Sequence, residues 1–349
     1  MPTEPGRPAD IGTGPGTDAR PGTGPEPGAR GAAPIPPAPA GGTGARPDAD
    51  PDAATGPGTA PDAAVVIPHY DDAARLARCL AALAPQLAAR PAGRVEALVV
   101  DNSSPRPPEA EVAAHPGIRL VSEPGKGAAL ARNRGVAETA APVIVFLDCD
   151  CVPADDWLDT ALRVAGRADV TGGTVTVFDE TPAPRSGAEA FETVFAFDNR
   201  GYIERKGFSV TANLVTTRAV FEAVGGFRAG MSEDLDWCRR ATAAGFSLVH
   251  EDTLRVAHPT RSDWPAIERK WRRLAEESWG LEGRGAGARL RWGLRGLAML
   301  PSIAAHAPKV LRHPGLRGGA ERRAALATLA RLRARRCGWM LAQAAGRRI

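Results

Sequence analysis

The chain has 349 residues, 43% of them hydrophobic and only 5% aromatic, with a formal net charge of +4. That length suits one large domain or two small ones, around a core of Ala, Val and Leu. A transmembrane span and a secretory signal are both excluded: no apolar run approaches the ~18 residues that crossing requires, and the N-terminus lacks a basic start followed by an apolar stretch.

Five cysteines (Cys79, Cys149, Cys151, Cys238, Cys337) are odd in number, scattered, and without paired metal spacing, which favours a reducing, cytoplasmic compartment. Residues 1–62 hold 15 Pro and 13 Gly and almost no large apolar side chain, so they read as a disordered tail. Charge is unevenly placed. Residues 1–260 carry 24 Lys and Arg against 34 Asp and Glu (net −10), and residues 261–349 carry 20 against 6 (net +14). A basic end on an acidic body implies an anionic partner surface, lipid headgroups or nucleic acid.

Ala63 to Ile67 reads as a short buried strand closed by Pro68, His69 and Tyr70. Asp71 or Asp72 then caps a helix whose Leu76, Leu80, Leu83 and Leu87 follow the helical period. Val95 to Val100 is a second strand ending on Asp101, and Ile118 to Val121 a third. A glycine turn around Lys126 leads into a helix carrying Arg132 and Asn133. It is not a P-loop, because the earlier glycine and the following Ser or Thr are missing. Val143 to Leu147 is a strand apolar on both faces that runs into Asp148-Cys149-Asp150-Cys151.

Strands alternating with helices in this way give an α/β, mainly parallel wound sheet, whose ligands sit at the carboxyl ends of the strands. Three strands deliver polar groups to that edge: His69 with Tyr70, Asp101, and Asp148 with Asp150. Alternation lets Asp148 and Asp150 point the same way. Two converging carboxylates are costly to bury without a cation, and hard oxygen ligands suit Mg²⁺ or Mn²⁺ together with substrate phosphates. The bare tripeptide reads equally as a helix N-cap or a solvated turn.

Ala168 to Phe178 is a further strand. The aromatic residues of 186–208 read as a packed helix. Thr211 to Thr216 is a strand that leaves Asn213 available to a pocket. Ser232 can cap a helix that opens with Glu233 and Asp234, where the helix dipole favours acids and where a pocket-facing acid can act as general base. Ser247–Glu251 and Leu254–His258 read as two short strands, the second ending on a histidine that can complete a metal shell. From Trp264 onward the chain is helical and basic. Leu294–Leu311, broken by Pro301 and Pro308, suits either a membrane interface or a helical cap over the sheet.

The ordered pieces Val-Val-Ile-Pro68-His-Tyr, Val-Val-Asp101-Asn-Ser-Ser, Ala-Arg132-Asn133-Arg-Gly135, Phe-Leu-Asp148-Cys-Asp150-Cys-Val-Pro, Val-Gly-Gly-Phe227 and Ser-Glu233-Asp234-Leu-Asp-Trp resemble the family 2 glycosyltransferases over residues 62–260. The resemblance implies a GT-A fold over 63–260, a basic helical extension over 261–349, and an inverting enzyme of the bacterial exopolysaccharide or cell-envelope type. It implies a nucleotide-diphospho-sugar donor, and a glycan or lipid-linked acceptor. Pro68, His69, Tyr70, Asp101, Lys126, Arg132, Asn133 and Asp148 would border the donor. Asp150, with Asp148 and His258, would hold Mg²⁺ or Mn²⁺. Asp234 would be the acceptor-side base, positioned by Glu233. The sequence departs from the family at His69, where Thr is commoner, and at Cys149 and Cys151, where Ala, Ser or Asp are usual. The basic extension then points to an anionic membrane at the inner face of the cell envelope, with no nucleic acid expected. A sugar-1-phosphate nucleotidyltransferase and a non-catalytic scaffold are the competing classes. The first is disfavoured by the lack of a glycine- and basic-rich triphosphate loop soon after the first strand, the second by intact Asp148, Asp150 and Asp234.

Overall fold

The computed structural model describes residues 60–283 and 285–349. The tail read over 1–62 therefore lies outside the described residues, except for its last three. The elements run β1 (Ala63–His69), α1 (Ala73–Ala88), β2 (Val95–Asp101), α2 (Glu109–Ala113), β3 (Ile118–Ser122), α3 (Ala128–Ala137), β4 (Val143–Leu147), β5 (Val152–Pro153), α4 (Trp157–Val164) and β6 (Val170–Phe178). They continue with α5 (Gly187–Phe195), α6 (Asn199–Lys206), β7 (Asn213–Thr217), α7 (Arg218–Val224), α8 (Glu233–Ala243), β8 (Leu248–Pro259), α9 (Trp264–Leu281), α10 (Ala286–Ala298), α11 (Ser302–Arg312) and α12 (Gly318–Ala344).

The strands form one sheet in the order β3-β2-β1-β4-β7-β6-β8-β5. β1 to β4 are mutually parallel, β7 runs antiparallel to both β4 and β6, and β6 pairs parallel with β8. Strand residues alternate between two cores, as the two-residue period requires. Ala64, Val66, Ile144 and Phe146 pack toward α3, α7 and α8. Val65, Ile67, Val145 and Leu147 pack toward α1 and α4. Gly135 lets α3 lie against β1, because a Cβ there would run into Val66.

Several readings change. The two short strands expected over 247–258 are one strand, β8, whose pairing with β6 jumps from Gly173↔Glu251 to Thr174↔Arg255. Asp252 to Leu254 fall in that register shift, which breaks the alternation and divides the strand in sequence. Asn213 is not open to a pocket. It is fully buried, accepts from Trp157 Nε1 at 2.9 Å, and donates to the carbonyls of Thr174 and Leu254 at 3.1 and 2.8 Å. It therefore stitches β7, β6 and β8 together. Asp72 holds the N-cap position of α1 without a side-chain cap; its carboxylate pairs with Arg75 at 3.0 Å. The region 186–208 is two helices, the first closed by a Ser186–Glu189 capping box whose S-x-x-E spacing was legible in sequence.

The C-terminal helices share a core with the sheet region. Phe191, Val194 and Phe195 of α5 pack with Ile267 and Trp271 of α9, Val310 of α11, and Leu329 and Leu332 of α12.

Candidate active site

The site is built at the carboxyl edge of β4. The strand ends at Leu147, and the Cys151 amide donates to the Asp148 carbonyl at 3.0 Å, which closes a tight turn around Asp150. β5 then pairs antiparallel with the end of β8, Val152 opposite Ala257. That pairing brings His258 Nε2 to 3.1 Å from Asp150 Oδ2. The side chains of Asp148 and Asp150 remain 29% and 25% exposed, so both open onto solvent from an otherwise buried edge.

His258 Nδ1 lies 2.7 Å from the Pro259 carbonyl, which can only accept, so Nδ1 carries a proton. A neutral ring then turns the Nε2 lone pair toward a carboxylate oxygen. Two acceptors face each other, an arrangement that a shared proton or a cation resolves. The Asp150 carboxylate and the His258 nitrogen are ligand types that Mn²⁺ or Mg²⁺ accepts, while Asp148 Oδ1 is committed to Arg132. Among the described residues no group of three or more His, Cys, Asp or Glu gathers to hold an ion by itself. Further ligands would be water and substrate oxygens, as is usual for Mg²⁺. Burial first, then the two aspartates, pushes the Cys149 and Cys151 thiols well up. Burial raises the Asp148 carboxyl, with Arg132 opposing and Asp150 adding. At Asp150 burial is outweighed by the hydrogen bond and charge of His258 and the charges of Arg75 and Arg261, and its carboxyl stays below the usual range.

Arg132 ties this edge to the second pair of acids. Only 3% exposed, it donates to Asp148 Oδ1 at 2.6 Å and to Glu233 Oε1 at 2.9 Å. A buried guanidinium between two carboxylates keeps its charge: burial works against it, but Asp148 and Glu233 hold it protonated. Acids more than 80 positions apart in the chain thus meet at one cation.

Ser232 stands at the N-cap of α8, but its hydroxyl does not cap the helix; it donates to Asp234 Oδ1 at 2.9 Å. The Leu235 amide donates to the same oxygen at 2.7 Å. Asp234 Oδ1 is thereby taken and Oδ2 left over. Burial first, and then the charge of Glu233, pushes its carboxyl up to about 6. Glu233 is committed to Arg132, whereas Asp234 has no ion-pair partner among the described residues. The two neighbours are thereby assigned different tasks. Glu277 of α9 also lies within electrostatic reach of both.

The carboxyl ends of β1 and β2 carry a separate network. His69 is buried and bonds Asp101 through Nδ1 at 3.0 Å, while its Nε2 accepts from the Asp72 amide at 3.2 Å. Asp101 also accepts from the Ser104 hydroxyl at 2.5 Å and the Ser104 amide at 3.2 Å. Tyr70 beside them is 52% exposed, and Asp71 holds a left-handed φ of 46°. This turn borders a cleft of about 400 Å³ lined by Asp71, Asp72, Arg106 and Glu111. Pro68 pairs with Val100 in the sheet. Lys126 is exposed at the tip of a loop that Asn102 pins through Gly125 and Gly127. Asn133 spends its amide on the Phe227 backbone, donating at 2.9 Å and accepting at 2.8 Å. It fixes the Gly225–Phe227 turn, where a Cβ on Gly226 would crowd it.

The structure thus gathers Asp148, Asp150, His258, Arg132, Glu233 and Asp234 into one network, and His69 with Asp101 into another. It adds Glu192, Arg261 and Lys270, which sequence reasoning missed. Glu192 is fully buried and binds Arg261 Nη1 at 2.9 Å and Lys270 Nζ at 3.0 Å. Lys270 lies 5.5 Å from the Phe197 ring, and that ring packs on His258 at 5.0 Å. The available signal was the pair of cations just beyond the strand-end histidine.

Residues 64–236 match the family model Glycosyl transferase family 2. The chain is 30% identical over 221 residues to the glycosyltransferase AglE of Haloferax volcanii, covering 60% of this chain and 70% of that one. It is also 30% identical over 223 residues to the pre-mycofactocin glycosyltransferase of Mycobacterium tuberculosis, covering 58% of this chain and 44% of that enzyme. Among solved structures, the mannosyltransferase PcManGT from Pyrobaculum calidifontis, in complex with GDP-Man and Mn²⁺, aligns with a TM-score of 0.47 at 18% identity, over 84% of this chain and 78% of that one. The protein is a glycosyltransferase. It belongs to glycosyltransferase family 2, and its wound α/β sheet is the GT-A architecture implied by the resemblance.

Proposed function

We propose that the enzyme transfers a sugar, with inversion, from a nucleotide-diphospho-sugar to a hydroxyl of a lipid-linked, polysaccharide or other cell-envelope acceptor at the inner face of the membrane. The observation that supports this reading is the Arg132 bridge, which joins an acid at the carboxyl edge of β4 to the acid pair that opens α8. Asp150 and His258, with Asp148 beside them, would hold Mg²⁺ or Mn²⁺. A divalent cation bound there would supply neutralisation of the charge that develops on the diphosphate. The His69–Asp101 turn, with Tyr70, borders the nucleoside, and Lys126, Arg132 and Asn133 flank the nucleotide side.

The acceptor hydroxyl is a weak nucleophile and needs a carboxylate within hydrogen-bond reach. Asp234 Oδ2 takes that proton as the oxygen attacks the anomeric carbon opposite the departing diphosphate. A single displacement inverts the centre. Glu233 is bound to Arg132 and lies beside Asp234, where its charge adds to burial in raising the basicity of Asp234.

Asp234→Asn keeps the shape and the Oδ1 acceptor but cannot take a proton. It is expected to abolish transfer while thermal-shift binding of nucleoside diphosphate with Mn²⁺ survives. Transfer near the parental rate would remove Asp234 from the role of base.

A further inference from the structure

Among the described residues, nine large hydrophobic side chains are left exposed, and seven of them are leucines between 281 and 341. Three lie on α10: Leu290 is 65% exposed, Leu294 56% and Leu297 50%. Their spacing puts them on one helix face. The opposite face carries Ala288, Trp292 and Gly296, all buried, with Trp292 and Gly296 against Cys337 and Met340 of α12. Trp292 Nε1 donates to Gln343 Oε1 at 2.9 Å, and a Cβ on Gly296 would sit 2.9 Å from Met340 Cβ. The helix is therefore fixed by its inner face and offers a leucine ridge on its outer one. A soluble surface seldom leaves such a contiguous patch uncovered.

The charge around the ridge says what covers it. Between Glu282 and Glu321 the sequence contains no Asp or Glu, but six Arg and one Lys. Arg289 and Arg291 flank the ridge and are exposed. An apolar stripe on a helix whose charged side chains are all arginines matches an anionic bilayer surface, with leucines at the acyl boundary and guanidinium groups at the headgroups. No described helix is long and apolar enough to cross a membrane, so the geometry is that of a surface-lying helix.

We propose that the outer face of α10 docks the enzyme on an anionic phospholipid bilayer. This rests on the proposed transfer only for the identity of the acceptor, which it narrows to a lipid-linked one. Glu277, beside the acids of α8, is separated from exposed Leu281 by one turn of α9, a rise of about 6 Å. A sugar on a membrane-embedded carrier would thus be presented near Asp234 while its lipid stays in the bilayer.

The test is flotation of the full chain with vesicles of phosphatidylcholine and phosphatidylglycerol, against phosphatidylcholine alone, without donor or metal. The parent is expected to float with the mixed vesicles and to be released by salt. Leu290→Ser, Leu294→Ser and Leu297→Ser combined should lower partition by roughly tenfold for each leucine removed. Arg289→Gln with Arg291→Gln should weaken binding and flatten its salt dependence. The replaced groups are exposed, so the variants should keep the parental melting temperature and donor hydrolysis. Equal flotation of parent and triple variant overturns the proposal, as does binding to neither vesicle. A parental dimer that the triple variant dissociates, without vesicle binding, would make the ridge a contact between two copies and overturn it as well. Flotation uses no chemistry, so loss of the docking reading and loss of the transfer reading are separately visible.

Discussion

At the scale of single residues, the site divides labour between neighbours of the same type. Arg132 pairs with Glu233, while burial and the charge of Glu233 push the Asp234 carboxyl up to about 6. A base must be unprotonated to act, so activity is expected to fall about tenfold per pH unit below about 6. The same shift acts on stability with a definite sign. Between the usual carboxylate range and about 6 the folded state binds a proton that the unfolded chain has released, so stability falls as pH rises through that window. At neutral pH the cost is up to about 3 kcal/mol. Asp234→Asn is thus expected to melt above the parent at pH 7 and with it at pH 4; an equal difference at both would refute the linkage. Arg132→Lys retains the charge but not the two-pronged reach. It should leave the acid limb in place while transfer drops about 100-fold through misplacement. Asp148, Asp150, Asp234 and His258 could be picked out in sequence because each follows a strand end or opens a helix. The partners of Arg132 and Asn133 could not, because what a buried polar group bonds depends on elements distant in the chain.

At the scale of elements, the strands that hug the core were readable as apolar runs, and the leucine period of α1 was readable too. What escaped were features that pairing creates. β5 is two residues long and exists only because β8 passes beside it, yet that pairing is what sets His258 against Asp150. β8 reads as two pieces because its register slips at Gly173. A Cβ at Gly173 would press on the Asn213 amide and the Leu254 carbonyl, the two groups that hold the slip. Gly173→Ala is expected to cost about 1–3 kcal/mol by overpacking. Displacing β8 should also weaken the Mn²⁺-dependent thermal shift. A variant with the parental melting temperature and metal response would show that the slip does not position His258.

At the scale of the whole molecule, the charge asymmetry marks residues 261–349 as a basic extension on an acidic body, and its helices pack against α5. Phe191, Val194 and Phe195 of α5 are 2%, 5% and 6% exposed because α9, α11 and α12 cover them. Uncovering those three side chains would forfeit roughly 5 kcal/mol. That is comparable to the entire stability of many domains. Glu192 on the same helix would lose Lys270 and Arg261, the cations that outweigh burial and keep its carboxyl low. Lys270 also backs the Phe197–His258 contact, so the extension reaches the His258–Asp150 pair. A chain cut after Thr260 is therefore expected to aggregate or to unfold without a cooperative transition, and to show no thermal shift with nucleoside diphosphate and Mn²⁺. A soluble fragment with a sharp transition and intact nucleotide response would mean that the helices serve only docking, and that the sheet closes its own core.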